Sequence, residues 1–379
     1  MHDLELIKRN YPQPDKSAYF NTSSTGLISK TGVRKVARFN KDLLRFGSKY
    51  AEAFYLEGIP KIRKTISRFI DASVDEIALV PNFSYGLNAV LPSIARLRSV
   101  LLYREDYPSL TIPFELNDFE IYWIENKDGF FIDLNELKQT VSQHKIDIIA
   151  ISHIQYLTGF TIDIEELASF CNLNDVLLIV DGTQSLGAMD YSFNKSGVHI
   201  FIASNYKWMN SGFGTGIMCI DKSTLNKFTP KIGGYNSLKY LDQSWKYISS
   251  IHSYEPGHHN MAGLVMLEDA IEFKLRLGLG NIADYNRHLL NIVTDKLNEI
   301  NVGTSGSSAD NDHRSNIIGI PGDKSLATYL QDNNVVVKWR NGIIRVGIHF
   351  YNTESDIIRL VRHLESYRRT NPEYGKSSY

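Results

Sequence analysis

The apolar run at 176–180, VLLIV, closed by Asp181-Gly182, most narrows what this chain can fold into. Five apolar residues without alternation, partly β-branched and ended by a turn, predict a strand buried on both faces, as in a parallel sheet covered by helices. A second strand at 199–203 ends in Ser204-Asn205-Tyr206-Lys207, and Gly212, Gly214 and Gly216 lead into a third. In open α/β sheets ligands sit at the carboxyl ends of the strands. Asp181 and Lys207 would therefore leave the sheet at one edge and face one ligand. Taken singly, Asp-Gly is ordinary turn chemistry and a lone lysine is a solvated surface residue. The ordered set Asp181, Gln184, Ser204, Lys207 and the glycines is what gives the stretch chemical meaning.

The rest of the chain alternates in the same way. Strands are expected at 75–80, 99–103, 121–124, 147–152, 316–320 and 335–339, and helices at 34–47, 59–70, 134–144, 165–171, 261–277, 282–300, 325–332 and 355–366. Asn260 is placed to cap the helix at 261–277 and Gly278 to stop it. Residues 1–15 predict a short helix stopped by Pro12 and Pro14, 303–310 a flexible Gly/Ser-rich loop, and 368–379 a polar, frayed tail. After the strand at 75–80 comes Asn82-Phe83-Ser84-Tyr85-Gly86, a polar turn opening a helix. Free N–H groups and the helix dipole make such a turn an anion site.

At 379 residues two domains are the natural expectation. Forty-one basic and forty-two acidic residues give a formal charge of −1. That balance gives no support for a nucleic-acid or membrane surface. Two cysteines make neither a disulfide framework nor a metal site, so no metal is expected and a reducing compartment fits. The first residues lack the apolar core of a secretory signal, and no apolar run approaches a membrane span; a cytoplasmic protein is the reading. Gly212 to Gly216 follow a lysine instead of opening a helix after a strand, which weighs against a nucleotide-binding glycine loop.

With these residues in place, the chain resembles the class V aminotransferases, the pyridoxal 5′-phosphate (PLP) enzymes that include cysteine desulfurases, selenocysteine lyases and kynureninase. The resemblance covers most of the chain. It implies fold type I: a large domain, 16–255, with a mostly parallel seven-stranded sheet between helices, and a smaller α+β domain from 1–15 and 256–379. It also implies a homodimer with the active site at the subunit interface.

Carried over residue by residue, the resemblance gives Lys207 the covalent hold on PLP and the proton transfer at the substrate Cα. Asp181 becomes the acid that keeps the pyridine nitrogen protonated, and Gln184 orients the phenolic oxygen. Ser84, Tyr85 and Ser204 fall at the cofactor phosphate, with His258 reaching the phosphate of the neighbouring subunit. Tyr107 stacks on the pyridine face. Gln155, beside Tyr156, stands where the desulfurase branch carries an asparagine, and Tyr206 replaces a histidine seen beside the lysine there. Asn21 lies in the Ser/Thr stretch that lines the substrate side. Arg345 pairs with the substrate carboxylate, a task suited to a planar guanidinium, and a charge in mid-strand needs a partner.

The substrate is then an amino acid, with a keto acid as second reactant if the reaction is transamination. Desulfurases also carry a mobile cysteine shortly before this arginine, and residues 331–344, QDNNVVVKWRNGII, contain none. An aminotransferase therefore ranks first. The alternative is a carbon–sulfur lyase, a cysteine desulfurase- or selenocysteine lyase-like enzyme, or an epimerase. From another class, a non-catalytic PLP-fold sensor or partner protein would keep the pocket without turnover.

Overall fold

In a computed structural model, residues 4–14, 17–126, 129–305 and 313–371 are described. Seven strands build the main sheet: β1 (Ile77–Val80), β2 (Ser99–Tyr103), β3 (Glu120–Ile124), β4 (Ile148–Ser152), β5 (Leu177–Asp181), β6 (Ile200–Ser204) and β7 (Gly216–Ile220). Their order is β1-β7-β6-β5-β4-β2-β3. Only β7 runs against the others, pairing antiparallel with β6 and β1. This is the mostly parallel α/β sheet expected from the apolar runs.

Alternate residues feed two cores. Leu101, Ile149, Leu178, Val180 and Phe201 pack on one face of the sheet, while Leu102, Ile148, Ala150, Ile179 and Ile202 pack on the other. The strands lack alternation because both faces are covered.

A second, three-stranded antiparallel sheet holds β8 (Ile317–Pro321), β9 (Lys338–Arg340) and β10 (Ile343–Gly347), with β10 in the middle. Its core takes Ala18 and Phe20 from near the amino terminus, and Leu360 and Leu364 from the last helix, Glu354–Thr370. A two-residue parallel pairing of Ala18 and Tyr19 with Val335 and Val336 fixes that amino-terminal segment. The helix Met261–Leu277 sends Leu264, Leu267 and Ile271 into the core of the seven-stranded sheet. The division at 255/256 stands as a proposal, with packing that crosses it from both sides.

The helices expected at 59–70 and 261–277 form with those bounds, and Asn260 caps the latter through the Gly263 N–H. The amino-terminal helix is Leu4–Asn10. Among the elements for which the reading used no sequence signal are the helix Pro108–Leu116, which contains Pro113, the helix Lys222–Lys227, and the hairpin Leu238–Leu241 with Ser244–Tyr247. Of the flexible loop and the frayed tail, residues 306–310 and 372–379 lie outside the described residues, and the helix Glu354–Thr370 extends into the expected tail.

One buried ion pair ties the edge of the main sheet to the segment after it. The two terminal guanidinium nitrogens of Arg63 donate to Glu255, at 2.8 and 3.0 Å, and the Leu79 N–H donates to the same carboxylate at 2.7 Å. His252 and His259 each approach it at 3.3 Å. Burial alone would push the Glu255 carboxyl up, yet these hydrogen bonds and the Arg63 charge hold it well below its ordinary 4.5.

Removing one partner strands the other charge in the interior. Glu255→Ala is expected to lower the unfolding free energy by about 3–5 kcal/mol, and Arg63→Ala combined with it by less than the sum of the single losses. Urea unfolding checks both. A carboxyl depressed in the folded chain stabilises above its unfolded value and loses that contribution as pH falls through the folded one. The acid limb of the stability profile below pH 4.5 should therefore flatten in Glu255→Ala.

Candidate active site

Parallel register brings the chemistry to one edge. Ser152 pairs with Asp181, Asp181 with Ile202, and Ser204 with Gly216. The ends of β4, β5 and β6 and the start of β7 therefore stand side by side, with Asp106 and Tyr107 just past the end of β2. Between them lies a cavity of about 420 Å³ walled by Ser84, Tyr107, Tyr156, Asp181, Gln184, Ser204 and Lys207, among others. A larger cavity, about 830 Å³, is lined by the helix starts near Asp133 and Asp163 and holds none of the expected residues.

Lys207 and Asp181 are both buried. Loss of water is the largest effect on each: it pushes the Lys207 amine below its ordinary 10.5 and the Asp181 carboxyl above its ordinary 3.8. The two charges oppose those shifts in one another, while Arg345 and Arg340 add to the depression of Lys207. Asp181 also accepts the Thr183 N–H at 2.8 Å. The Lys207 Nζ lies 5.5 Å from the centre of the Tyr107 ring and 5.8 Å from that of Tyr206, which stacks on Phe213.

At the start of the helix Phe83–Val90, the Asn82 side chain caps the Tyr85 N–H and the Phe83 N–H donates to Ser204 Oγ at 2.9 Å. The Ser84 N–H has no partner among the described residues. An N–H and two serine hydroxyls thus meet at a helix N-terminus, a donor set for a phosphate.

Gln184 is held at both ends: its Nε2 donates to Ser23 O at 3.1 Å, and its Oε1 accepts the Trp208 indole N–H at 2.7 Å. An amine, a carboxylate, a flat ring and phosphate donors around one cavity fit PLP by the chemistry of the donor set.

Arg345, in the middle strand β10, is buried. It donates to Tyr156 O and Ser24 Oγ, both at 2.7 Å, and its Nε is buried without a partner. The partner demanded by a mid-strand charge is thus a carbonyl and a hydroxyl, with part of the fork left over. Asn21 bridges Gly347, two residues from Arg345, and its Oδ1 is likewise buried and unpartnered.

Five of the expected residues are not among those that line this cavity: Arg345, Asn21, Gln155, Tyr85 and His258. Gln155 is drawn away to Asp106, its Nε2 lying 3.4 Å from that carboxylate. Tyr85 is 40 % exposed, and with His258 it lines a separate cavity of about 350 Å³ that adjoins the first at Gly214. Of the two, Tyr85 was expected at the phosphate of this cavity and His258 at that of the neighbouring subunit.

Other residues matter that the sequence reading passed over. Asp106, fully buried, accepts the Ser152 N–H and hydroxyl and the Tyr107 N–H, pinning the Tyr107 turn to the end of β4. Lys274 is also buried; its Nζ donates to Asn210 Oδ1 at 2.7 Å and lies 3.3 Å from His349 Nε2, which sits 3.0 Å from Trp208 O. Burial drives both Lys274 and His349 well below their ordinary values. The two brace the turn after Lys207 from beneath. An acid directly before Tyr107 and a lysine on the apolar face of a helix were the available signals. Among the described residues no group of three metal-ligating side chains stands together, and no helix is long and apolar enough to cross a membrane.

The aminotransferase class V family model matches residues 38–360. A probable cysteine desulfurase of Pyrococcus abyssi is 22% identical, the alignment covering 93% of this chain and 94% of that protein. An uncharacterized aminotransferase of Bacillus subtilis is 21% identical over 94% and 96%. Among solved structures, the apo cysteine desulfurase from Thermococcus onnurineus NA1 superposes with a TM-score of 0.87 at 20% identity, covering 97% of this chain and 98% of that one. A cystine C–S lyase in complex with its product cysteine persulfide superposes at 0.85 with 17% identity, over 94% and 99%. The fold is that of these enzymes, fold type I, as the strand-end motif implied.

Close packing at the lysine turn can be tested. A Cβ on Gly26 would stand 1.8 Å from Lys207 O, and the Gly26 N–H already donates to Tyr206 O. Gly26→Ala is expected to cost about 1–3 kcal/mol of stability by overpacking, whereas Gly303→Ala, with open space around it, should change little. Urea midpoints compare the two.

Proposed function

The chain belongs to the class V aminotransferase family, and on that premise we propose that it is a PLP-dependent carbon–sulfur lyase that works without a protein thiol. The relatives and structural neighbours are named mostly for carbon–sulfur chemistry, which moves the weight from the aminotransferase ranked first to the stated alternative. The observation that carries the thiol-free form is the position of the cysteines. Cys171 and Cys219 are both fully buried in the core beside the main sheet, where burial raises each thiol, Cys171 to about 12 and Cys219 well above its ordinary value. Neither lines the cavity, and 331–344 offers no other.

PLP, when bound, supplies an electron sink conjugated to the substrate Cα. Asp181 keeps a proton on the pyridine nitrogen; at an effective dielectric of 20, opposite charges about 4 Å apart gain on the order of 4 kcal/mol. Tyr107 would lie against the ring and exclude water, and Ser84, Ser204 and the helix start would hold the phosphate. Arg345 takes the substrate carboxylate with the N–H groups that Tyr156 and Ser24 leave free. Lys207, whose amine is neutral at a lower pH than an ordinary lysine, would hold the cofactor and, as a free amine, would take the substrate Cα proton. Sulfur then leaves Cβ with the bond electrons as a thiolate, and the unsaturated product hydrolyses to a keto acid and ammonia.

A cytoplasmic homodimer belongs to the same proposal. Tyr85 lines the same outer cavity as His258, the residue expected at the phosphate of the neighbouring subunit, and Tyr240, Leu241 and Trp245 of the hairpin are exposed.

Incubation with cystine and S-alkyl cysteines should release thiol or sulfide with matching keto acid and ammonia. Pyridoxamine phosphate with no sulfur release would return the aminotransferase. Lys207→Ala should lose the visible absorption band of the PLP-loaded protein and slow turnover by about 10²-fold or more; a retained band would remove Lys207 from the cofactor role. Colour recovery of the wild-type apoprotein with PLP should quicken as pH rises and level off well below 10.5, because burial favours the neutral amine.

A further inference from the structure

The segment that carries a sulfur-accepting cysteine in desulfurases carries a second arginine here. Arg340 ends β9, two residues from Lys338, which pairs with Arg345 across the strands. Alternation along a strand and pairing across it put Arg340 and Arg345 on one face. Asn341 and Gly342, with φ of 48° and 80°, form the two-residue turn between β9 and β10. Arg340 is therefore presented by a tight hairpin and not by a long loop.

Its guanidinium carbon lies 5.0 Å from the Tyr156 ring centre and 5.7 Å from that of Tyr107, and both rings wall the cavity. Tyr156 also receives Arg345 at 5.9 Å, and Tyr107 receives Lys207 at 5.5 Å. Three cations thus surround two rings. Lys207 has Asp181, and Arg345 has Tyr156 O, Ser24 Oγ and, in the proposed reaction, the α-carboxylate. Arg340 has no ion pair or hydrogen bond among the described residues. It is half-buried, it repels Arg345 and Lys207, and an unpaired cation in such a setting is costly.

We propose that Arg340 binds a second anionic group at the end of the substrate's side chain while Arg345 holds the α-carboxylate, so that the substrate is a sulfur-linked amino acid with an anionic side-chain terminus. This rests on the lyase reading. It also gives the segment a role: where a thiol would accept sulfur, a guanidinium holds the departing fragment by its charge. Nothing in the step changes beyond the elimination already described. The Cα–H and Cβ–S bonds break, the proton goes to Lys207, and the sulfur leaves as a thiolate still bearing the anionic group.

The probes are S-carboxymethyl-L-cysteine and its neutral isostere S-carbamoylmethyl-L-cysteine, titrated against the PLP-loaded enzyme and read as the amplitude of the absorbance change within the mixing time, before turnover. Wild type should bind the carboxylate about tenfold tighter or more, the scale of one charge-assisted hydrogen bond. Arg340→Met should erase that preference with little change for the neutral ligand, and Arg340→Lys should restore part of it. Equal wild-type binding of the two ligands overturns the role of Arg340 alone. So does Arg340→Met weakening both equally, which would make it a second α-carboxylate ligand. Silence towards both ligands overturns the lyase reading and this proposal with it. Urea midpoints within error of wild type confirm that the variants are folded.

Discussion

A buried amine beside a buried carboxylate is the constraint on which the rest of this molecule depends. Neither Lys207 nor Asp181 would hold its charge cheaply in a dry cavity alone, and each is the largest favourable charge available to the other. Keeping them together requires adjacent parallel strands in fixed register, with Asp181 at the end of β5 and Lys207 three residues past β6. The sheet must therefore be covered on both faces, and its strands read as unbroken apolar runs. The turn that carries the lysine must also be held, which Gly26 does from above by close approach and Lys274, Asn210 and His349 do from below.

The two sheets meet at this point. β10 brings Arg345 to the carbonyl of Tyr156, which follows β4 of the main sheet, and to Ser24 of the amino-terminal stretch. The neighbouring Asn21 joins Gly347 of the same strand. Three distant parts of the sequence thus share one set of hydrogen bonds, and the sheet that holds Arg345 also presents Arg340 to Tyr156 and Tyr107 of the cavity wall. The family sets the cofactor chemistry, while in the proposed reaction Arg345 and Arg340 beside Tyr156 select the substrate.

Much of this was legible in the sequence because it is local. Apolar runs, a cap at Asn260 and the order Asp181, Gln184, Ser204, Lys207 depend on near neighbours, and they foretold the sheet, the helix Met261–Leu277 and those four residues of the cavity wall. What was not legible depends on partners far away. Arg63 and Glu255 are separated by 192 positions and look like two ordinary surface charges until folding buries them together. Lys274 lies in a helix read only from its apolar period and its caps, and the helix Pro108–Leu116 hides behind its prolines. The resemblance put Tyr85 at the cofactor phosphate, but the helix carrying it turns that side chain outward. Arg340 could be recognised only once its hairpin lay against the tyrosines.

The central claim is that sulfur leaves the substrate without passing through a protein thiol. Intact-mass spectrometry of the PLP-loaded enzyme, sampled during turnover of cystine and of an S-alkyl cysteine, tests it most directly. An unchanged protein mass while thiol or sulfide accumulates in solution is the predicted result. A protein that gains the mass of a sulfur atom, with the gain mapped to Cys171 or Cys219 and lost on adding reductant, would contradict it.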